Sequence, residues 1–403
     1  MNTRANHSQL FGTFPPEVRL VLACIAPDAS PAATTQVRVL VAGGLDWELV
    51  GRIARWHGVH AHVFNRLSSI DELPIPADST ERMRAEHRGR ALRSLALARE
   101  LARLIRLLDA AAIPALAFKG PVLAIQVYGD VTMRQFMDLD LLIRKRDLPR
   151  VVEVLAQDGY RARRFTAGAR DHGLFDSSEE EFTKPGGLGV IDVHWLLSSP
   201  FFPYAPDAEA ALARAITVNL DGTTVATLSP PDLLLFLGVH AAKHGWPALG
   251  AATDIAAVIR AYRDLDFDAV HEDAKRIGCR RMLLLSLLLA HDLADAPVPP
   301  RLLSAAHSDR AVARLASDAA RRMFASCGDR ATAYQEWIVP LRAIETVGGR
   351  LRYCALRGLT PTAEDREFIS LPDALTPLYY LLRPIRLAAQ QGSRLFGVAR
   401  SNA

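Results

Sequence analysis

The sequence predicts a mixed α/β protein in which a small mixed sheet is flanked by helical regions on both sides in the chain. Three observations carry this expectation. Apolar residues recur with a helical period from Pro15 to about Ile113, and again beyond Pro206. Between these zones, short apolar runs of strand length alternate with short amphipathic segments. Half of the 403 residues are hydrophobic and 23% are charged, enough for one large core or two to three smaller ones and unlike a disordered chain. The expected division is a helical region over 1–112, an α/β core over 113–200 and a helical domain over 201–403.

In the first region, "DWELVGRIARWHGVHAHVFNRL" and the long run "STERMRAEHRGRALRSLALARELARLIRLLDAAA" read as helices, with "ELPIPADS" as the linker and Ser79 with Arg82 marking the start of the long one. In the core, "IPALAF" is a strand, "GPVLAIQVYG" a short helix and "MDLDLLI" a strand. "DLPRVVEVLAQDGY" is an amphipathic helix with Asp147 as N-cap and Gly159 past its end. "YRARRF", "EEFTKP" and "GVIDVHWLL" are of strand length, the last two joined by the turn "PGGLG" at 185–189. Beyond Pro206 the pattern is helical: "PPDLLLFLGVHAAKHGW", "ATDIAAVIRAYRDL", "FDAVHEDAKRIG", "RRMLLLSLLLAHDLA" and at least three more. No repeat of fixed period stands out.

Composition narrows the function classes only mildly. The balance of 48 basic and 44 acidic residues gives +4, which does not by itself call for nucleic acid. The basic residues are mostly arginine, a skew that matches coding bias and makes each of the lysines 119, 145, 184, 243 and 275 more informative. Cys24, Cys279, Cys327 and Cys354 show no metal or redox spacing and suit a reducing cytoplasm as free thiols. The N-terminal stretch has no apolar signal-type segment, and the run Met282 to Ala290 is too short for a bilayer, so a soluble cytoplasmic protein is expected.

Chemistry concentrates in the α/β core. On a strand, Asp138 and Asp140 project to one face, with Met137, Leu139 and Leu141 opposite. Neighbouring carboxylates repel unless a cation lies between them, and Mg²⁺ takes oxygen ligands of this kind together with substrate phosphates. Asp192, in another strand and on the same face as His194, completes a three-acid metal site if the two strands are neighbours, as a two-metal phosphoryl displacement requires. Gly120 opens a helix with Lys119 before it and Pro121 at its first position, so free backbone N–H groups and a lysine make an anion site. Arg134 either reaches a phosphate or pairs with Asp130 or Asp138. A second Asp-Leu-Asp at 264–266 lacks strand flanks and reads as a loop and helix cap, with Asp268 as the cap.

The combination "FKG…LAIQVYGD…R…DLDLLI…GY…IDVHW" resembles the uncharacterised nucleotidyltransferases of bacteria, within the DNA polymerase β-like superfamily, and is similar to the nucleotidyltransferases of abortive-infection toxin systems. The resemblance is densest over 113–197, with fainter echoes in "DWELVGRIARWHGV" and "HAAKHGWPALGAATDIAAVI", about half of the chain. It implies a nucleotidyltransferase-type sheet, Gly120 as the phosphate turn, Asp138 and Asp140 as the metal pair and Asp192 as the third acid, which helps to activate the acceptor hydroxyl. It also implies that Lys243 or His244 meets phosphate or base, helix packing being the other role for that segment. The superfamily commonly carries Gly-Ser in the turn; here Pro121 follows Gly120, and Lys119 is the substitute for the serine.

The expected activity is Mg²⁺- or Mn²⁺-dependent transfer of an NMP from an NTP, ATP among them, to a hydroxyl or phosphate acceptor. Phosphoryl transfer at the same site and a catalytically silent nucleotide-binding protein are the alternatives. The acceptor is open among small molecules, RNA, protein and peptide, and the oligomeric state is unassigned. His194 either orients Asp192 or contacts substrate, or is a core histidine. His240 and His244 lie one helical turn apart but lack the Glu and third ligand of a zinc site. His57, His60 and His62 read as a helix end near a turn, and the tail arginines 383, 386, 394 and 400 as a solvated basic face, with nucleic-acid contact the second possibility.

Overall fold

The computed structural model describes residues 14–27, 30–163, 178–204, 206, 208–325, 337–361, 365 and 368–387. Helices α1 (Pro16–Ile25), α2 (Pro31–Ala42), α3 (Trp47–Trp56) and α4 (His60–Ser68) precede the 34-residue α5 (Ala77–Ala110). Asp46 caps α3 by accepting the Leu49 N–H at 2.9 Å. The long helix begins at Ala77 rather than Ser79, because Pro76 and the backbone set the first turn, and Ser79 instead accepts from Arg82 inside it.

The core follows as β1 (Ala115–Ala117), α6 (Gly120–Tyr128), β2 (Asp138–Ile143), α7 (Leu148–Gln157), β3 (Arg161–Ala162), β4 (Glu179–Thr183) and β5 (Val190–His194). The five strands form one mixed sheet in the order β1-β2-β5-β4-β3, with β2 and β5 parallel and the other pairs antiparallel. Asp147 stands at the N-cap position of α7, yet its side chain makes no capping bond, since its backbone is already helical there. The last two residues of "YRARRF", together with Cys327, Arg394 and Arg400, lie outside the described residues.

The chain does not turn wholly helical after the sheet. Behind α8 (Ala208–Ala213), β6 (Ile216–Leu220) and β7 (Thr223–Thr227) form a hairpin. Its turn residues Asp221 and Gly222 have φ of 51° and 75°, the left-handed pair that an Asp-Gly hairpin turn uses. Helices α9 (Pro230–Lys243), α10 (Leu249–Ala261), α11 (Phe267–Ile277), α12 (Arg280–Ala294), α13 (Pro300–Ser308), α14 (Arg310–Ala325), α15 (Val339–Ala343) and α16 (Val347–Leu359) follow. The leucine-rich α12 is the buried centre that α9, α10, α13 and α14 surround. The cap of α11 is Asp266, which accepts from the N–H groups of Asp268 and Ala269, so the capping acid sits two residues before the expected one.

Apolar residues divide between two clusters. Leu139, Leu141, Ile191 and Val193 on one sheet face join Leu97, Leu101 and Leu104 of α5. Leu142, Leu116 and Phe118 on the other side join Phe236 and the helices of both chain ends. Between the N-terminal helices and α10, the buried His57 accepts the Leu249 N–H at Nδ1 (3.2 Å), while its carbonyl accepts the Gly250 N–H (2.9 Å). His60 instead approaches Glu86 at 3.7 Å, and His62 lies edge-on to Tyr128, so the three histidines do not converge. Arg383 and Arg386 are 5% and 4% exposed and both bind Asp365, which removes them from the solvated basic face expected of the tail. Among the described residues no helix is long and apolar enough to cross a membrane.

Candidate active site

The β2–β5 register sets Asp140 opposite Asp192 and Leu142 opposite His194. Because side chains alternate, Asp138, Asp140, Asp192 and His194 share the sheet face that looks toward α9. The antiparallel β4 adds Glu179 opposite His194 and Glu181 opposite Asp192, on the same face. Single ligand-type atoms of Asp140, Asp192 and His194 lie within 4.8 Å of one another. Asp138 stands two residues before Asp140 at the strand's start and is only partly buried.

One oxygen of Asp140 is heavily used. Its Oδ1 accepts from Lys119 Nζ at 2.6 Å and faces His194 Nε2 at 3.1 Å. His194 Nδ1 in turn meets Glu179 Oε2 at 3.2 Å, and the Phe118 ring packs edge-on against the imidazole. Asp140 Oδ2 is buried and has no hydrogen-bond partner among the described residues. A buried carboxylate oxygen in that state is costly unless something positive completes it.

The charges respond to this arrangement. Burial would raise Asp140, but the Lys119 charge and the His194 hydrogen bond hold it well below the usual carboxylate range. Burial and the neighbouring Asp140 charge push Asp192 up to about 6 and also raise Asp138. Neither forms an ion pair among the described residues. The His194 hydrogen bond draws Glu179 down to about 2. Burial opposes charge on His194, yet its bonds to Asp140 and Glu179 carry it upward.

Lys119 and Gly120 form the turn from β1 into α6. Gly120 has φ of +53°, and a Cβ there would meet the Asp138 carbonyl at 3.3 Å, so the turn requires glycine. Lys119 is no loose surface lysine: its side chain is 17% exposed and pinned to Asp140. On its other side it lines a cavity of about 170 Å³ with Arg134, Tyr128, His240 and Asp254. Arg134 pairs with neither Asp130 nor Asp138. Its Nε donates to Asp254 on α10 at 2.9 Å, and Tyr128 donates to the same carboxylate. Lys243 ends α9 and His244 follows it at the surface; neither lines that cavity, and Lys243 acts on Glu179 through its charge. The His240 and His244 rings meet at 4.8 Å as a packing pair.

A family described as uncharacterised nucleotidyltransferases matches residues 43–295, well over half of the chain. The protein belongs to this family. Two solved structures are similar at lower levels. The antibiotic-resistance factor ANT(2'')-Ia, a solution structure, shares 16% identity over 45% of this chain and 90% of that one, with a TM-score of 0.32. An antigenic nucleotidyltransferase-like protein from Paracoccidioides brasiliensis shares 18% identity over 48% of this chain and 93% of its own, with a TM-score of 0.30. No curated protein matches the chain.

Two partners in this nucleotidyltransferase escape sequence reading. Glu179 lies one residue before the strand expected from "EEFTKP"; the alternation in Glu179-Glu180-Glu181, with Glu180 fully buried, was the available signal. Asp254 is 120 positions from Arg134, and no local pattern links them.

Proposed function

We propose that this nucleotidyltransferase moves an NMP from an NTP to a hydroxyl or phosphate acceptor and that it depends on Mg²⁺ or Mn²⁺. The observation that carries the proposal is the pairing of Asp140 with Asp192 on adjacent parallel strands, with Asp140 Oδ2 buried and unpartnered among the described residues. A cluster of hard oxygen donors with one orphaned oxygen fits a divalent cation of the Mg²⁺ type. Asp138, Asp140 and Asp192 would hold it, and once bound it supplies Lewis-acid stabilisation of charge on the transferring phosphoryl group.

The chain's own residues do the rest. The N-terminal amides of α6 and the Lys119 ammonium face the triphosphate, and Arg134, whose Nε alone is engaged by the described residues, offers its remaining guanidinium donors from the cavity wall. Lys243 and His244 do not line the cavity, and Lys243 acts there through its charge on Glu179. Asp192 makes no hydrogen bond among the described residues and takes the proton of an acceptor hydroxyl. The acceptor oxygen then bonds to the α-phosphorus as the bond to the β-phosphate oxygen breaks, and pyrophosphate leaves.

The test incubates the protein with Mg²⁺, cell extract as acceptor, and each NTP labelled at the α or the γ phosphate. Product carrying the α label, made by the wild type and absent with Asp140→Asn, supports the proposal. Product labelled only from the γ position would mean phosphoryl transfer and sink it.

A further inference from the structure

The histidine beside the acids has the spacing of a metal ligand, but its hydrogen bonds argue otherwise. Both ring nitrogens of His194 face carboxylate oxygens: Nε2 faces Asp140 Oδ1 at 3.1 Å and Nδ1 faces Glu179 Oε2 at 3.2 Å. Each ring nitrogen already faces a carboxylate oxygen, so a cation could reach the imidazole only by displacing one of those oxygens. The ring has little freedom to turn away, being 7% exposed and held edge-on by Phe118.

We infer that Glu179 and His194 form a positioning pair that fixes the Asp140 carboxylate, and that neither binds the metal. Resting on the metal site proposed above, this assigns a direction to each oxygen. Lys119 and His194 converge on Oδ1, so the carboxylate cannot rotate, and Oδ2 is presented bare to the cation. Glu179 reaches Asp140 only through the imidazole. It sits at the rim, 41% exposed, so its replacement opens no part of the core. Partners of this kind typically change metal affinity 10–100-fold when removed.

Glu181 supplies the control. It lies on the same strand face, directly opposite Asp192, but pairs with Arg163 instead of a histidine. Removing its charge tests whether field alone matters.

The experiment titrates the full-length protein with Mn²⁺, without NTP, by calorimetry and by electron paramagnetic resonance. Glu179→Gln is expected to weaken Mn²⁺ binding 10–100-fold in a protein that stays folded at a lowered melting temperature, and Glu181→Gln to change Mn²⁺ binding less than threefold. The pulsed spectrum of Mn²⁺ on the wild type is expected to lack the ¹⁴N coupling of a directly bound imidazole. That coupling would overturn the inference, and it is read on the wild type, so it stands even if a variant misfolds. Equal weakening by both substitutions, or wild-type affinity in Glu179→Gln, would also overturn it while leaving the metal site intact. A wild type that takes up no Mn²⁺ would remove the metal site and this inference together.

Discussion

Asp140 and Asp192 occupy the same level of two parallel strands, side by side, and among the described residues only Asp140 has cationic neighbours in hydrogen-bond contact. A carboxyl raised to about 6 in the folded chain binds more protons there than in the unfolded chain, so the acid pair costs stability as pH rises from about 4 to 6. Asp192→Asn is therefore expected to be more stable than the wild type in metal-free buffer at pH 7, by about 0.5–1 kcal/mol, the scale of a like-charge cross-strand pair. It is also expected to lose transfer activity, and to show none of the melting-temperature rise with Mg²⁺ that is expected of the wild type. Urea midpoints in chelator check the first part; a lower midpoint in the variant would contradict it.

Gly120→Ala places a side chain at a left-handed backbone position and drives its Cβ against the Asp138 carbonyl at 3.3 Å. The conformational cost alone is about 1–2 kcal/mol. Because the same carbonyl belongs to the first residue of the acid strand, NTP affinity and Mg²⁺ affinity are expected to fall together. Separate titrations of the two ligands would show whether the turn and the strand are coupled.

His57 predicts acid sensitivity. Burial lowers it from 6.5 to about 4, and His60 and His62 are lowered to about 4 as well. The unfolded chain binds these protons first, so stability is fully present above about pH 6.5 and declines as pH falls toward 4. Each such shift corresponds to at most about 3 kcal/mol. His57→Asn keeps an acceptor for the Leu249 N–H without a titrating ring, and it should flatten the loss seen in urea midpoints between pH 7 and pH 5. An unchanged slope would assign the acid sensitivity to other groups.

Asp266→Ala removes a helix cap and is expected to cost about 1 kcal/mol while leaving transfer rates untouched. Asp264-Leu265-Asp266 and Asp138-Leu139-Asp140 are identical in letters, so the contrast separates the motif from its setting. Activity lost with Asp266→Ala at unchanged stability would reverse that assignment.

That contrast marks what the sequence makes legible. The flanks of Asp138 and Asp140 are apolar on alternate positions, so a strand and its polar face can be read locally. Asp192 sits in a similar run, and only its partnership with β2 needed the folded chain. Arg134 resisted because its partner Asp254 comes from a helix far along the chain, where local periodicity holds no information. Glu179 resisted for a smaller reason, a strand boundary off by one residue. The β6–β7 hairpin carried its Asp-Gly turn in plain view, but the helical pattern around it outweighed ten residues of alternation.

Among the described residues, much of the cover over the acid face of the sheet comes from outside 113–200. Leu116, Phe118 and Leu142 are buried by residues that include Phe236 of α9, within a cluster that extends into the N-terminal helices. A fragment trimmed to 113–200 would present these side chains, and the charged cluster beside them, to bulk water. The smallest piece expected to survive expression as a folded unit therefore runs at least from α1 through α14, because α13 and α14 cover α12 and α1 packs on α3 and α4.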